Sequence, residues 1–303
     1  MHIMKPYAEL ITEKDMYKRI ELIGRTCYKS EDKITKDSAE KFVDRLIQRN
    51  HLAMLEHASI HSLVACEKDA ALTLLNIPGV IVSEFGDMFL VTVSLSHLKN
   101  NKYNKNRIID IINYTVERGE GGGLCYLDEG ESPITIQIVD LMPTVNRFGS
   151  DKCVDIFRKH ERATVKFICD RGVSHEIVRH RASFAQESTR YCNYGSDRFD
   201  GITFIEPSTL DEWNEEDKDR FYSAMEYAEG IYLHMIESGL TPQQARAVLP
   251  NALKTEVIMT ASLEQWRHFF NLRYFGSTGS PHPDMKHVAE IAYKAMEKEY
   301  SFL

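Results

Sequence analysis

The chain has 303 residues, enough for one large domain or two ordinary ones, and 43% of them are hydrophobic while 27% are charged. This composition is that of a globular protein, and it excludes disorder, collagen-like repeats and coiled-coil rods. The 37 Lys and Arg residues stand against 45 Asp and Glu, and the net charge of −8 repels a nucleic-acid backbone. We therefore expect no nucleic-acid partner.

The N-terminal segment and the cysteines indicate the cellular compartment of the protein. Residues 1–20 lack a basic segment followed by an apolar run, and no stretch of 18 apolar residues occurs anywhere in the chain. The 6 cysteines are widely spaced and include no CxxC pair. These features predict a cytoplasmic protein with reduced thiols and no membrane contact.

The first third of the chain is predicted to form a short strand followed by helices. Asp37 and Glu40 have the D-x-x-E spacing of a capping box, and apolar residues at helical spacing follow them. This pattern predicts a helix that ends near Asn50. Residues 55–66 combine β-branched and small residues with histidines, which predicts a strand.

Residues 67–152 differ from the rest of the chain in the pattern of their polar and apolar residues. Polar or glycine-rich breaks at 100–106 and 118–123 separate apolar runs such as MFLVTVSL. The glycines fit neither G-x-G-x-x-G nor a P-loop, so we interpret 118–123 as a surface turn. We expect residues 67–152 to be an insertion within a single catalytic domain that spans 1–303.

The signals after residue 153 are clearer. Val165, Phe167 and Cys169 recur at alternate positions within 164–169, which predicts a strand with these side chains on one face, and residues 170–172 predict a turn. Ser174 is a candidate N-cap for a helix through residues 175–181.

Three helix signals follow in the C-terminal part. Apolar residues recur at 4-3-4-3 spacing within 215–238, and Gly239 comes directly after them, which predicts an amphipathic helix that stops there. Thr241 begins a T-P-Q-Q capping sequence, and Ser262 with Gln265 repeats the capping pattern. We therefore predict an α+β fold, helix-rich with a small central sheet.

Residues 171–190 form a basic segment in an acidic chain. Four arginines against two glutamates give this segment a charge of +2, so the other residues carry −10. Guanidinium groups pair bidentately with phosphate or carboxylate oxygens, and the segment is therefore a candidate site for an anionic ligand. A solvated helix with ordinary ion pairs explains the composition equally well.

Metal sites and covalent nucleophiles are not favoured. His175 and His180 are five residues apart and do not form an HExxH motif. The histidines at 51, 57 and 61 lack further ligands at metal spacing, so we interpret them as hydrogen-bonded polar groups or ligand contacts. No G-x-S-x-G motif occurs, and Cys192 has no base at a fixed spacing.

The segment VSHEIVRHRASFAQESTRYCNY resembles the signature of the flavin-dependent thymidylate synthases, which is RHR, seven residues and then Ser. The pattern from His51 to Glu56-His57 resembles an upstream element of that family, and residues 241–250 with 266–273 resemble its C-terminal half. The resemblance covers residues 50–66 and 160–300. It implies the compact fold of that family, with 67–152 as an inserted lobe.

The resemblance also implies an activity. Members of the family make dTMP from dUMP, with methylenetetrahydrofolate as the source of the methylene group and NADPH as the reductant acting through FAD. They are homotetramers whose active sites draw on several subunits. Because the flavin supplies the hydride, the protein chiefly binds, orients and polarises its ligands.

Residue roles follow from the matched motifs. The resemblance implies cofactor contacts at His51, Ala53, Arg179, His180, Arg181, Gln186, Ser262, Leu263, Glu264 and His268. It implies dUMP contacts at Glu176, Arg179, Gln186, Glu187, Ser188, Thr189, Arg190, Arg246 and Arg273. Arg273 is the implied catalytic residue, because it matches the arginine that promotes ionisation of the uracil N3, whereas Ser188 is implied to be a contact and not a nucleophile.

The sequence departs from the family pattern at a few positions. Between Arg181 and Ser188 there are six residues instead of seven, so either one residue is missing near Ala182 or the RHR triplet is shifted by one. A shift on a helix would rotate the triplet by about 100°. Ala53, Ser262 and Glu264 replace the usual Ser or Thr, Asn and Arg.

These departures leave other functions open. One is a non-catalytic flavin- or nucleotide-binding relative in which the shortened motif has abolished turnover. Another is a structural oligomer whose arginines serve interfaces.

Overall fold

The computed structural model describes residues 1–100, 106–119, 124–126, 133–141, 151–190, 192–196 and 201–300. Its strands are β1 His2–Met4, β2 Tyr7–Leu10, β3 Ser59–Ala65, β4 Ile81–Phe85, β5 Met88–Ser94, β6 Leu124–Tyr126, β7 Ile134–Ile138, β8 Arg162–Asp170, β9 Ser183–Gln186, β10 Thr203–Ile205 and β11 Lys254–Ser262. Its helices are α1 Met16–Tyr28, α2 Ser38–Gln48, α3 Lys68–Leu72, α4 Leu95–Leu98, α5 Arg107–Glu117, α6 Asp151–His160, α7 Arg171–Ile177, α8 Glu215–Glu237, α9 Pro242–Ala245, α10 Leu263–Arg273 and α11 Pro283–Glu299. The predicted helix-rich α+β class is confirmed. Within the described residues, no helix combines the length and hydropathy needed to cross a bilayer.

A four-stranded antiparallel sheet, which we call the site sheet, has the order β2-β8-β11-β9. β8 and β11 pair along their whole length, from Lys254 opposite Asp170 to Ser262 opposite Arg162. The alternation predicted for residues 164–169 is confirmed. Its apolar side chains lie on one face and pack into the main core with α10 and α11, through Val165, Phe167, Cys169, Trp266, Phe269, Val288 and Ala292.

The opposite face of the site sheet is covered by α1. A small apolar cluster joins Ile23 and Cys27 of α1 to Ala185 of β9 and Ile258 of β11. Apart from Ile168, the remaining positions of this face on β8 and β11 are polar or charged, with Lys166 and Glu256 at its centre. This sheet is therefore amphipathic although both faces are covered.

A five-stranded antiparallel sheet, which we call the lobe sheet, has the order β4-β5-β3-β7-β6. It consists of β3 and four strands from residues 67–152. One of its faces packs on an aliphatic cluster that includes Ile108, Ile109 and Ile112 of α5. The strand predicted over 55–66 is shorter than expected, because a 3-10 turn occupies Leu52–His57 before β3 begins at Ser59. Residues 101–105 and 120–123, which belong to the two predicted breaks, lie outside the described residues. Residues 118 and 119 are described and are exposed.

Two predicted helix starts are wrong in detail. The helix after Asp37 forms, but the Asp37 carboxylate makes no capping hydrogen bond. Ser38 Oγ instead accepts from Thr35 N–H at 2.8 Å and donates to Glu21 Oε2 at 2.7 Å. The D-x-x-E spacing therefore marked the helix without supplying its cap.

The helix predicted to begin after Ser174 begins four residues earlier, at Arg171. Asp170 is its N-cap, because Asp170 Oδ1 accepts from Val173 N–H at 2.9 Å. α7 then ends at Ile177, so residues 179–181 follow the helix instead of lying on it. A helix capped from Asp170 places Ser174 inside its second turn, where Ser174 Oγ donates to Arg171 O at 2.7 Å.

The three C-terminal helix signals are confirmed. α8 is followed by Gly239 with a φ of +90°, the left-handed conformation that favours glycine. Gln244 Oε1 accepts from Thr241 N–H at 2.9 Å, but α9 is short and Arg246 lies in the 3-10 turn after it. Before α10, Ser262 Oγ accepts from Gln265 N–H at 3.2 Å and Ser262 N–H donates to Gln265 Oε1 at 3.0 Å. This reciprocal box fixes where the helix that carries Arg273 leaves the site sheet.

Candidate active site

Arg273, the last residue of α10, is held against the end of α7. Its Nη1 donates to Glu176 Oε2 at 2.7 Å, its Nη2 to the Glu176 carbonyl oxygen at 3.3 Å, and its Nε to His180 Nε2 at 3.1 Å. A guanidinium has five N–H donors, so two remain for a ligand. The implied catalytic residue is therefore oriented before any ligand arrives.

His180 is a neutral hydrogen-bond acceptor in this cluster. Burial, together with the positive charges of Arg273 and His268, lowers the pKa of His180 to about 4. The ring packs against Phe269, with ring centroids 4.9 Å apart, and lies 6.2 Å from the His268 ring. A protonated imidazole could not accept from Arg273, so the low pKa preserves the contact at neutral pH.

Arg179 and Arg181 flank His180 and are exposed. Neither side chain makes a hydrogen bond or ion pair with the residues that the structure describes. Two unpaired guanidinium groups close to Arg273 form a donor set that suits an anionic ligand.

The position of the RHR triplet also bears on its shortened spacing to Ser188. Residues 178–182 form a turn between α7 and β9. The possibility of a 100° rotation on a helix does not apply, because the triplet is not helical. A residue missing near Ala182 falls in irregular backbone, which can absorb it.

Gln186 links three elements of the site sheet region. Its Nε2 donates to Ser174 Oγ at 3.0 Å and to Thr255 Oγ1 at 3.3 Å. Arg171 Nη1 donates to the same Thr255 hydroxyl at 3.3 Å. Thr255 and Arg171 were not predicted as site residues, and no motif signalled Thr255, because its role depends on the pairing of β11 with β9.

Glu187 is engaged inside the protein. It is 3% exposed, and its carboxylate accepts from Lys254 Nζ at 3.0 Å and from Tyr194 OH at 3.2 Å. Its backbone N–H donates to Glu256 O at 2.9 Å. Glu187 therefore anchors the 186–190 segment to β11.

Glu256 is the centre of a buried charge cluster beside that anchor. Its carboxylate contacts Lys29 and Lys254, and Lys166 Nζ lies 3.0 Å from Oε2. Burial alone raises the pKa of Glu256, but the charges and hydrogen bonds of Lys254 and Lys29 outweigh it and lower the value to about 2. No sequence pattern predicted this cluster, because its members come from the end of α1, from β8 and from β11.

The rest of the 186–190 segment is tied down on both sides. Ser188 N–H donates to Cys27 O at 3.1 Å, and the Ser188 carbonyl accepts from Cys192 N–H at 3.1 Å. Arg246 Nη1 donates to Thr189 Oγ1 at 3.2 Å, while Arg190 is exposed. The structure thus places Arg246 beside the 186–190 segment, as expected if both contact the same ligand.

The upstream element lies beside β9. His51 and Ala53 are exposed at the 3-10 turn before β3. Ser183 Oγ donates toward Glu56, 3.5 Å from the carbonyl oxygen and 3.4 Å from Oε2. The turn is therefore fixed next to the strand that follows the RHR triplet.

The residues expected to hold the cofactor from α10 divide into two pairs. Leu263 is fully buried in the main core, and Ser262 is 3% exposed with its hydroxyl used as the helix cap. Glu264 and His268 are exposed. Only Glu264 and His268 therefore have side chains at the surface, where a cofactor can contact them.

Two of the three upstream histidines are hydrogen-bonded polar groups. His57 Nδ1 lies 2.7 Å from Thr260 Oγ1, and His61 Nδ1 lies 2.8 Å from Thr92 Oγ1. In the part of the chain that the structure describes, no group of three His, Cys, Asp or Glu side chains is placed to hold a metal ion.

A cavity of about 320 Å³ adjoins Glu176. Its polar lining includes Asp170, Glu176, Asn251, His282 and Asp284. These residues come from three separated parts of the chain, so the sequence did not reveal the cavity. It extends the space beside the Glu176–Arg273 pair.

The α+β fold thus carries a candidate site for an anionic ligand, where arginines without a side-chain partner among the described residues flank a neutral histidine. The family described as "Thymidylate synthase complementing protein" matches residues 154–300. The chain is thus similar to proteins named flavin-dependent thymidylate synthase, which confirms the resemblance seen in its motifs.

Curated relatives carry the name flavin-dependent thymidylate synthase. The one from Geobacter sulfurreducens is 38% identical over 34% of this chain and 43% of its own length, and the one from Pyrococcus furiosus is 31% identical over 46% and 55%. The chain thus spans about half the length of these relatives. A relative from Thermococcus kodakarensis is 28% identical over 63% of this chain and 77% of its own length.

Among solved structures, a UMP/dUMP methylase from Streptomyces cacaoi bound with 5-Br dUMP is similar at 15% identity. The similarity has a TM-score of 0.45 and covers 100% of this chain and 94% of that one.

Proposed function

We propose that the protein is an FAD-dependent thymidylate synthase that converts dUMP to dTMP, with methylenetetrahydrofolate as methylene donor and NADPH as reductant. The observation that carries this proposal is Arg273, held by Glu176 and His180 with two N–H donors left, beside the unpaired Arg179 and Arg181. The names of the matched relatives support it.

Arg273 acts on the pyrimidine ring. Its two remaining donors suit the carbonyl oxygens of uracil, and a fixed positive charge nearby stabilises the anion formed when N3 loses its proton. Glu176 and His180 hold the guanidinium so that no reorientation is needed when the ring binds. The chain needs no covalent nucleophile for this role.

The donor set on the chain fits FAD. Arg179 and Arg181 suit its pyrophosphate, and His51, Ala53, Gln186, Glu264 and His268 present further contacts around β9 and α10. When bound, the flavin supplies the hydride. Ser262 and Leu263 contribute through the position of the α10 N-terminus and not through exposed side chains.

The 186–190 segment binds the dUMP phosphate. Arg190 and Arg246 supply positive charge, and Ser188 and Thr189 supply hydroxyl groups. Glu187 acts as the internal anchor of this segment through Lys254 and Tyr194.

The exposed contacts lie in separate groups on one chain, at the turn before β3, at the RHR turn, on α10 and at Arg246. We propose that a homotetramer joins such groups into shared active sites. Residues 1–303 form a single catalytic domain in which 67–152 is an insertion. The enzyme works in the cytoplasm without a nucleic-acid or membrane partner.

A flavin spectrum of the purified protein with and without dUMP tests cofactor and substrate together. We expect a bound flavin whose absorbance changes on adding dUMP, and dTMP formation by mass spectrometry when NADPH and methylenetetrahydrofolate are present. A colourless protein that takes up no FAD contradicts the proposal. Bound flavin without dUMP-dependent NADPH oxidation indicates the non-catalytic relative.

A further inference from the structure

A second nitrogen-rich cluster lies where α1, β3 and the start of β8 meet. Arg19 Nε, Arg162 Nε and His57 Nε2 are shielded from solvent and have no hydrogen-bond partner in the described part of the chain. Buried polar atoms in folded proteins are normally paired, so three orphaned nitrogens in one region need an explanation. Arg19 and His61 line the same cavity, and the charges of Arg19 and Arg162 both act on His61.

The two arginines also lack a close counter-ion. Among the described residues, neither guanidinium has a carboxylate within ion-pair distance, and Glu161 acts on both from farther away. Burial raises the pKa of Glu161 to about 7, so this carboxyl is only partly ionised at neutral pH. Glu13 and Asp15 act on Arg19 at longer range still, and the Asp15 carboxylate is already used by Tyr17 N–H and Lys18 N–H. Shielded positive charge without a partner is costly, and a bound anion removes that cost.

A cavity of about 500 Å³ opens onto this cluster. Its charged and polar lining includes Lys14, Asp15, Arg19 and His61, and its apolar lining includes Tyr17, Ile60, Ile138 and Val139. His61 Nδ1 is occupied by Thr92, which leaves its Nε2 as the ring nitrogen for a ligand. The cavity therefore combines two cationic side chains with apolar ones, and the one carboxylate in its lining, Asp15, already accepts from two backbone N–H groups.

We propose that this cavity binds a small oxyanion, a phosphate or a carboxylate, through Arg19, Lys14 and His61, with Arg162 adding positive charge behind them. An apolar body carried by the anion would pack against Tyr17 and the aliphatic wall. None of these residues belongs to the proposed nucleotide site, so the inference goes beyond the proposed function and does not depend on it.

Calorimetric titration of the full-length protein tests the proposal, with inorganic phosphate in one series and benzoate in the other. The variants are Arg19→Gln, its charge-preserving partner Arg19→Lys, and Lys18→Gln, which removes an exposed charge one residue away. The arginines of the proposed nucleotide site also attract phosphate. Only the part of the anion binding that Arg19→Gln removes is therefore assigned to this cavity.

We expect Arg19→Gln to weaken binding of at least one probe by about tenfold or more, the loss of one charge-assisted hydrogen bond. Arg19→Lys should recover part of the affinity, and Lys18→Gln should change it less than about twofold. The probe that binds more tightly identifies whether the group is a phosphate or a carboxylate. Lys14→Gln, a change at an exposed residue, supplies a second measurement if Arg19→Gln does not fold, and it should weaken the same binding.

Equal binding by wild type and Arg19→Gln overturns the proposal, as does the absence of saturable binding of either probe to the wild type. Size-exclusion chromatography with light scattering completes the test. If Arg19→Gln breaks the oligomer while its anion affinity is unchanged, a carboxylate of a second copy of this chain is the missing partner, and the proposal is wrong.

Discussion

The site sheet and the lobe sheet both bury polar groups, but they do so in different ways. The site sheet buries charges and pairs them, with Glu256 surrounded by Lys29, Lys166 and Lys254. The lobe sheet buries neutral groups, with Thr92 Oγ1 2.8 Å from His61 Nδ1 and 2.7 Å from His160 Nδ1.

The cause of the difference is the counter-charge. Burial lowers the pKa of His61 to about 4 and that of His160 to about 3, and nearby arginines add to this effect, so both rings lose their charge instead of pairing it. Lys254 and Lys29 keep Glu256 ionised although its carboxylate is also buried. Only the sheet with paired charges carries the anchor of the 186–190 segment.

The largest expected effect is on the stability of the site sheet. Glu256→Ala leaves three lysines without their shared partner, and breaking a buried ion pair from one side typically costs about 3–5 kcal/mol. Urea denaturation should show this loss. The matched control is Glu84→Gln on β4, which removes an exposed ion pair with Lys68 and should leave the urea midpoint unchanged. Similar midpoints for the two variants would remove the distinction between the sheets.

The next effect is on turnover. Arg273→Ala should lower dUMP-dependent turnover by about 10²–10³-fold, the cost of one preorganised electrostatic donor, while FAD is retained. Arg179→Ala should impair both turnover and FAD retention. Arg267→Ala, at an exposed position of the same helix, is the control and should change neither. The opposite ranking of Arg273 and Arg179 would show that their roles are exchanged.

Buried neutral histidines and the buried, ionised Glu256 should change the free energy of unfolding in different pH ranges. The folded pKa of His57 is about 4, below the ordinary value of about 6.5, because burial disfavours its charged form. Between these values the unfolded chain binds a proton that the folded chain does not. The free energy of unfolding therefore falls by about 1.4 kcal/mol per pH unit as the pH drops through that window.

Glu256 responds in a lower window. Its pKa is depressed, so its contribution is present above about pH 4.3 and is lost as the pH falls toward 2. The free energy of unfolding, measured with urea from pH 7 to 3, should increase with pH above pH 4. His57→Asn should reduce this slope by about 1.4 kcal/mol per pH unit, the contribution of one proton. An unchanged slope in that variant would mean that His57 titrates normally in the folded protein.

The smallest effect compares the apolar packing of the two regions. Ile109→Val on α5 and Phe269→Leu on α10 should each cost about 1 kcal/mol, because both shrink a fully buried side chain. Only Phe269→Leu should alter the flavin spectrum, since the Phe269 ring packs on His180. A spectral change in Ile109→Val would connect the lobe sheet to the site.

Local patterns predicted much of the secondary structure. Ser262 with Gln265 and the apolar alternation in 164–169 were sufficient, because a cap and a strand face depend on near neighbours. The start of α7 was placed at Ser174 and not at Asp170, because both residue types can cap a helix and only the end of β8 selects between them. The implied roles of Arg179, Arg181 and the exposed α10 residues remain predictions.

By itself, the sequence determined the fold class, the family relationship and the basic segment that holds the proposed site. Each of these depends on composition, spacing or a contiguous motif. Only the tertiary structure showed that Glu176 and His180 hold Arg273 and that Lys254 anchors Glu187. It also showed that Arg19 Nε and Arg162 Nε are buried without a hydrogen-bond partner among the described residues. These contacts join residues that are far apart in the chain, and the strand pairing that brings them together is set by packing of the whole domain.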